Sequence, residues 1–221
     1  MQLPFLRFEG DEMRYWGMIL LATVGTAILL GLGVWQVQRL AWKTDILAQI
    51  ERKILAPAID IPAQVSSARH DLLPVRGTGQ YIGDDTVRVL VSQKIYGAGY
   101  RLINAFELSD GRKIMVDRGF ISVRAALPAV PKGTGQVTGN LQWPQEIDSF
   151  TPDNDLAANI WFARDVAKLS AHLQTEPILL VLRNSSFADD LARPLPKMSA
   201  SIPNDHLNYA LTWFSLALIW L

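Results

Sequence analysis

The 221-residue chain has no cysteine. That excludes disulfides, Cys-based zinc sites, iron–sulfur clusters and thiol nucleophiles, and also the thiolate pairs that carry Cu(I). Methionine offers no substitute, because Met1, Met13, Met18, Met115 and Met198 are scattered and form no thioether cluster. Neither sign of charge dominates: Lys and Arg total 21, Asp and Glu total 21. Without a basic excess nothing points to nucleic acid, which needs a positively charged face. Catalytic signatures are missing too. There is no G-x-S-x-G elbow, H-E-x-x-H pair, Walker loop or G-x-G-x-x-G turn. Gly77-Thr78-Gly79 lies inside a strand pattern rather than before a helix, so it is no phosphate loop. These absences argue against an enzyme.

Long apolar runs are present. Between Arg14 and Arg39 no residue is charged. The stretch Tyr15–Gln38 is long enough, at 1.5 Å per residue, to cross a hydrocarbon core of roughly 30 Å. Tyr15, Trp16 and Trp35 sit near its ends, where amphipathic aromatics favour the interface. A cleaved signal peptide would need a basic leader and a small-residue cleavage site. Here the leader is mixed and the run ends Trp-Gln-Val-Gln-Arg, so an uncleaved anchor is expected. A second uncharged run, Leu207–Leu221, makes only about 22 Å of helix. It reads as a second span, 204–221, whose last turns lie beyond Leu221. Thr23, Ala27 and Gly31 on the first helix, and Ala210 and Ala217 on the second, offer small-residue surfaces on which two helices could pack in lipid.

Between the spans, apolar residues at Leu40, Ile46, Leu47, Ile50 and Ile54 have helical spacing. They predict that the first membrane helix continues outward as an amphipathic one near 40–55, ending before Pro57. After a proline-bearing linker, strand patterns dominate. Val75–Ile82 and Val87–Ile95 flank Gly83-Asp84-Asp85, and Tyr100–Leu108 and Lys113–Ile121 flank Ser109-Asp110-Gly111-Arg112; both read as hairpins. Val137–Trp143 and Ile178–Arg183 add strands, and Ile160–Leu173 predicts a helix. The expected fold class is a membrane α+β protein. Two transmembrane helices, N- and C-terminal, flank an antiparallel, partly barrel-like β-rich domain over 39–203, behind a short tail at 1–14.

Few side chains stand out chemically. His70 reads as a loop residue and His172 as a residue of a helix C-terminus. Asp117-Arg118 reads either as a functional pair or as a structural ion pair. His206 differs, because it stands at the mouth of the second membrane helix, with Tyr209 and Trp213 on its face at i+3 and i+7. A histidine there is costly unless it meets the bundle, water or a ligand, and imidazole is the commonest axial ligand of haem iron. If the helices pair, the first offers Trp35, Arg39 and Trp42 at i, i+4 and i+7, and an arginine suits a haem propionate. An interfacial histidine and a snorkelling arginine with no ligand would satisfy the same pattern.

Two longer motifs bear on this choice. Leu32-Gly33-Val34-Trp35-Gln36-Val37-Gln38-Arg39-Leu40-Ala41-Trp42-Lys43 resembles the L-G-x-W-Q-x-x-R-x-x-W-K signature of the Surfeit locus protein 1 family. Asn204-Asp205-His206-Leu207-Asn208-Tyr209-Ala210-Leu211-Thr212-Trp213-Phe214 is similar to its N-x-H-L-x-Y-A-x-T-W-F signature. Gly99-Tyr100, Val116-Asp117-Arg118-Gly119-Phe120 and Asn159–Asp165 (Asn-Ile-Trp-Phe-Ala-Arg-Asp) resemble family landmarks in the same order. Asp205 and Asp117 replace the usual Asn, and Phe120 the usual Trp.

The resemblance implies an assembly factor for a haem–copper terminal oxidase. It would bind haem A through His206 and assist delivery to catalytic subunit I; the helix-face reading adds Tyr209, Trp213, Trp35, Arg39 and Trp42 around that histidine. The implied partners are that subunit, haem A synthase and the lipid bilayer. The alternative is a scaffold that holds an assembly intermediate without touching haem. The short, partly acidic leader is unlike a mitochondrial presequence, so a bacterial plasma membrane is expected. Arg39, Lys43, Arg52 and Lys53 after the first helix, against Arg7 and Arg14 before it, weakly favour a cytoplasmic middle domain. The resemblance instead implies a periplasmic middle domain, with both termini cytoplasmic.

Overall fold

The computed structural model describes residues 9–187, 191–196 and 202–221. The chain divides into two compact units. One contains the chain up to Ile50 together with the segment from Ser199 to Leu221, and the other runs from Glu51 to Met198.

Helix α1 (Glu9–Leu55), which belongs to the first unit up to Ile50, is continuous through the apolar run and the amphipathic stretch after it. The expected amphipathic continuation of the first helix over 40–55 is its last third. Nothing between Gln38 and Leu55 breaks it, and Pro57 lies just past its end. From Met13 onward α1 is long and apolar enough to cross a membrane, with only 6% of its most apolar stretch buried. Such exposure of Trp16, Leu20, Leu21, Ile28 and Val34 would be untenable in water and suits lipid. Helix α4 (His206–Trp220) has 15 residues, fewer than the ~20 that a span needs.

Within this unit α1 and α4 pair closely. On α1 the covered stripe runs Ala22, Gly25, Leu29, Gly33, Gln36 and Leu40, the three- and four-residue spacing of knobs-into-holes packing. On α4, Ala210 and Ala217 are both 2% exposed. The expected seam Thr23, Ala27, Gly31 is not the one used. Thr23 and Ala27 are exposed, and a Cβ on Gly31 would meet nothing. A Cβ on Gly25 or Gly33 would instead strike the ring of Trp220 or Phe214. Large aromatics on α4 select which small residues of α1 they need, and a four-residue repeat alone does not reveal that.

The second unit is a β-rich body. Its elements are β1 (Ile59–Asp60), α2 (Ser67–His70), β2 (Pro74–Tyr81), β3 (Val87–Gln93), β4 (Gly97–Leu108), β5 (Lys113–Ser122), β6 (Gly135–Gln142), β7 (Ile160–Trp161), α3 (Val166–Leu173) and β8 (Leu179–Ser185). They form one eight-stranded sheet in the order β1-β2-β6-β8-β5-β4-β3-β7, with β2 also pairing β4. The pairings β2–β6–β8–β5–β4–β2 thus return to their start. Gly79 lies where β2 faces both neighbours, opposite Leu108 and Gly135. A Cβ there would run into the Glu107 carbonyl.

Alternation explains the core. On β5, Ile114 and Val116 enter one cluster and Met115 the other; on β8, Leu180 and Leu182 enter the first and Leu179 and Val181 the second. The first cluster draws on all five strands of the circuit. The second is covered by Val166, Leu169 and Leu173 of α3 and by Trp161. Strands buried on both faces read as continuous apolar runs, as these do.

Three expectations need correction. The sheet is mixed rather than antiparallel, since β5–β8, β1–β2 and β3–β7 are parallel. The Gly83 turn does not close a hairpin, because β3 leaves β2 and pairs β4 instead; a turn residue fixes a reversal, not the partner. Residues 160–173 are not one helix. Ile160–Trp161 pairs with Arg88–Val89, and α3 begins only after Asp165, whose carboxylate accepts from Ala167 N and Lys168 N at 3.1 Å, an N-cap. The hairpin at Ser109–Arg112 forms as expected, with Gly111 at φ +84°.

Candidate functional site

Two polar constellations stand out, one in each unit. In the helix pair, Gln36 is 8% exposed within the apolar run of α1. Its Oε1 lies 2.7 Å from His206 Nδ1. Both side chains are held by their helices: Gly33 precedes Gln36 by one turn and receives Phe214, and Ala210 follows His206 by one turn at full burial. A buried amide in such surroundings needs a partner, and His206 is that partner. Among the described residues Nε2 of His206 has no hydrogen bond.

The other expected site residues lie around this bond rather than in it. Tyr209 is 56% exposed, Trp35 49% and Trp42 51%, while Trp213 is half-buried. The Arg39 guanidinium stacks over the Trp42 ring at 4.4 Å, and it has no carboxylate partner among the described residues. Trp35, Arg39 and Trp42 do not lie on the covered stripe of α1; Gln36 does. Sequence reasoning passed over Gln36, although it is a long amide in a span, and such a residue marks an interhelical contact.

The second constellation assembles three separated motifs. Arg101 (β4), Asp117 (β5), Arg164 (after β7) and Glu146 (after β6) meet in the β-rich unit. Arg101 Nε donates to Asp117 Oδ2 at 2.6 Å, and Arg164 Nη1 lies 3.6 Å from the same oxygen. Arg164 also grips Glu146 through Nε at 3.0 and 3.1 Å and through Nη2. Asp117 is fully buried, and its other oxygen accepts from Gly119 N at 3.1 Å. Burial would raise the Glu146 carboxyl, but the Arg164 hydrogen bonds and charge outweigh it and hold it below its ordinary value. Burial would likewise lower Arg164, but Glu146 and Asp117 raise it.

Asp117 and Arg118 do not pair with each other. Leu102 faces Gly119 and Ile103 faces Asp117, so Arg118 is the extra residue of a β-bulge. Its side chain goes to the opposite face, donating to Asn104 Oδ1 at 3.3 Å and to the Ala129 carbonyl at 3.1 Å. Gly119, at φ +116°, lets residues 193–194 approach where a side chain would collide. Phe120 and Arg193 then bridge, and Arg101 Nη2 donates to the Leu195 carbonyl at 2.9 Å.

Arg101, Arg164, Glu146 and Phe162 also line a groove of about 440 Å³ beside residues 89–93 of β3. Two cations and two anions balance within the cluster, so it is built to cross-link strands and loops rather than to hold a charged ligand. His172 closes a smaller link: its Nε2 lies 3.1 Å from Asp85 Oδ2 and its ring sits edge-on to Trp161. It is more than the helix-end residue expected.

The charged cluster joins the Gly99, Asp117 and Asn159–Asp165 landmarks, and the helix pair joins the two terminal motifs. Comparison with known proteins agrees with this pattern. Residues 23–218 match the model of the SURF1 family. A SURF1-like protein of Rickettsia felis is 29% identical over 211 residues, covering 90% of this chain and 91% of that protein. One from Rickettsia bellii is 32% identical over 205 residues, covering 86% and 82%. The Surfeit locus protein 1 of Homo sapiens is 26% identical over 235 residues, covering 95% and 75%. The match runs from the first helix through the β-rich unit into the last helix, and the chain belongs to the SURF1 family.

Proposed function

We propose that this chain is an assembly factor for a haem–copper terminal oxidase, holding haem A through His206 and assisting its transfer to catalytic subunit I. Haem A synthase and subunit I are its partners. The chain crosses a bacterial plasma membrane twice, with the β-rich unit periplasmic and both termini cytoplasmic. It catalyses no reaction of its own.

The observation that carries this reading is the state of His206. One ring nitrogen is engaged by a neutral amide oxygen and the other has no hydrogen bond among the described residues, as in histidines that ligate metals. Haem supplies an iron centre that needs axial ligands. His206 would provide one, the exposed rings of Tyr209 and Trp35 would lie along the macrocycle, and Arg39 would meet a propionate. The second reading, a scaffold that never binds haem, draws on the same bond as a clasp between two helices.

The test is haem per protein, and its Soret band, in detergent-solubilised protein from a host that makes haem A. His206→Ala keeps a good helix former and should lose haem or shift the band. Arg39→Ala should weaken retention less, because the iron ligand stays. Wild-type protein that carries no haem, or a His206→Ala protein with an unaltered spectrum at full occupancy, would refute haem binding at this residue.

A further inference from the structure

We infer that Gln36 is a positioning residue for haem ligation: it fixes His206 in the tautomer that carries its proton on Nδ1 and so presents the Nε2 lone pair to iron. The inference rests on the reading of His206 as a haem ligand and adds a residue and a role to it.

A neutral imidazole has one donor nitrogen and one acceptor nitrogen. An amide oxygen can only accept. With Gln36 Oε1 at 2.7 Å from Nδ1, the hydrogen sits on Nδ1 and the unshared pair on Nε2. In water both tautomers interchange freely, and an untethered ring also rotates about χ1 and χ2. Here the ring is tied from the opposite helix. Gln36 is itself fixed, being 8% exposed on the stripe of α1 that meets α4. Among the described residues no other side chain hydrogen-bonds Gln36.

The acceptor also tunes the ligand. Hydrogen bonding from Nδ1–H to an oxygen makes a metal-bound imidazole more basic, and a carboxylate does so more strongly than an amide. A neutral amide gives the weaker of these two settings. That setting suits cargo that must be released: firm enough to orient the ring, without the anionic partner that would strengthen the iron–nitrogen bond. The length of Gln also matters. Asn is shorter by one methylene and would leave Nδ1 short of an acceptor across the helix seam.

The experiment compares wild type, Gln36→Leu and Gln36→Glu in detergent. Each is titrated with hemin, reduced, and read for affinity and for the iron–histidine stretching band by resonance Raman. Gln36→Leu keeps the bulk and removes the acceptor. It should lower hemin affinity roughly 10–100-fold, the usual range for losing a supporting partner of a metal ligand, and move the band to lower frequency. Gln36→Glu should retain haem and move the band to higher frequency. A clasp role alone would lower the thermal stability of Gln36→Leu while leaving the band in place in both variants, and that result would overturn the inference. If Gln36→Leu fails to accumulate, the direction of the Gln36→Glu shift decides by itself. Wild type that takes up no hemin through His206 would instead overturn the haem reading, an outcome distinct from an unmoved band.

Discussion

Replacing Asp117 by Ala isolates the energetic role of the buried charged cluster. Asp117 is fully buried, and Arg101, whose side chain is 9% exposed, donates to it at 2.6 Å. Removing the carboxylate leaves the Arg101 guanidinium, among the described residues, with the Leu195 carbonyl as its acceptor, deprives Gly119 N of its acceptor, and leaves Glu146 as the carboxylate that both arginines share. Breaking a buried pair by removing one partner typically costs about 3–5 kcal/mol, because an uncompensated charge stays in low dielectric. A unit of this size loses about 2–4 °C per kcal/mol, so the expected fall in melting temperature is roughly 6–20 °C. The matched control is Asp60→Ala. Asp60 meets Arg76 at a similar 2.8 Å, but with side chains 85% and 50% exposed, and such pairs contribute about 0–1 kcal/mol. Thermal unfolding of the detergent-solubilised full chain, followed by the β signal in circular dichroism, reads both. If the two variants fell by equal amounts, burial would not be the deciding variable and the reasoning would fail. If the chain acts as proposed, Asp117→Ala and His206→Ala should also separate in cells: Asp117→Ala should lose oxidase assembly through low protein abundance, and His206→Ala at normal abundance.

Other consequences are checked as directly. Glu146 is held below its ordinary value of 4.5 by Arg164; a depressed carboxyl stabilises the fold above that value and loses the contribution as pH falls through its folded one. Glu146→Gln should therefore be less stable than wild type at pH 7, with the two denaturation curves converging on acidification, and a gap that stayed constant down to pH ~3 would contradict the sign. Gly33→Val should disrupt the helix pair, because its side chain falls on the Phe214 ring, whereas Gly31→Val meets open space. Both pay the same propensity change, so a shift in tryptophan emission confined to Gly33→Val tests the packing. A cysteine at Ser92, which is exposed on β3, should react with an impermeant maleimide in intact spheroplasts if the β-rich unit is periplasmic; labelling only after lysis would reverse the orientation.

Local signals in the chain were enough for what depends on nearest neighbours. The uncharged run from Tyr15 to Gln38 determined an apolar helix, because transfer of its side chains into hydrocarbon needs no tertiary partner. Asp110-Gly111 determined the β4–β5 hairpin, because a short reversal that puts one residue at φ > 0, here Gly111 at +84°, is a local requirement. The terminal motifs likewise marked His206. Tertiary structure decided everything that depends on which surfaces meet. Which stripe of α1 faces α4 followed from the rings of Phe214 and Trp220, so Gly25 and Gly33 are used and Thr23, Ala27 and Gly31 are not. Whether β2 closes with β3 or with β4 and β6 followed from burying both faces of β4, β5 and β8. Asp117 reads in sequence as the neighbour of Arg118, yet one bulged residue sends the two side chains to opposite faces. Its partners, Arg101 and Arg164, lie 16 and 47 positions away in the chain. The hydrogen bond between Gln36 and His206 spans 170 positions, a separation at which only the packing of two helices brings an amide to an imidazole.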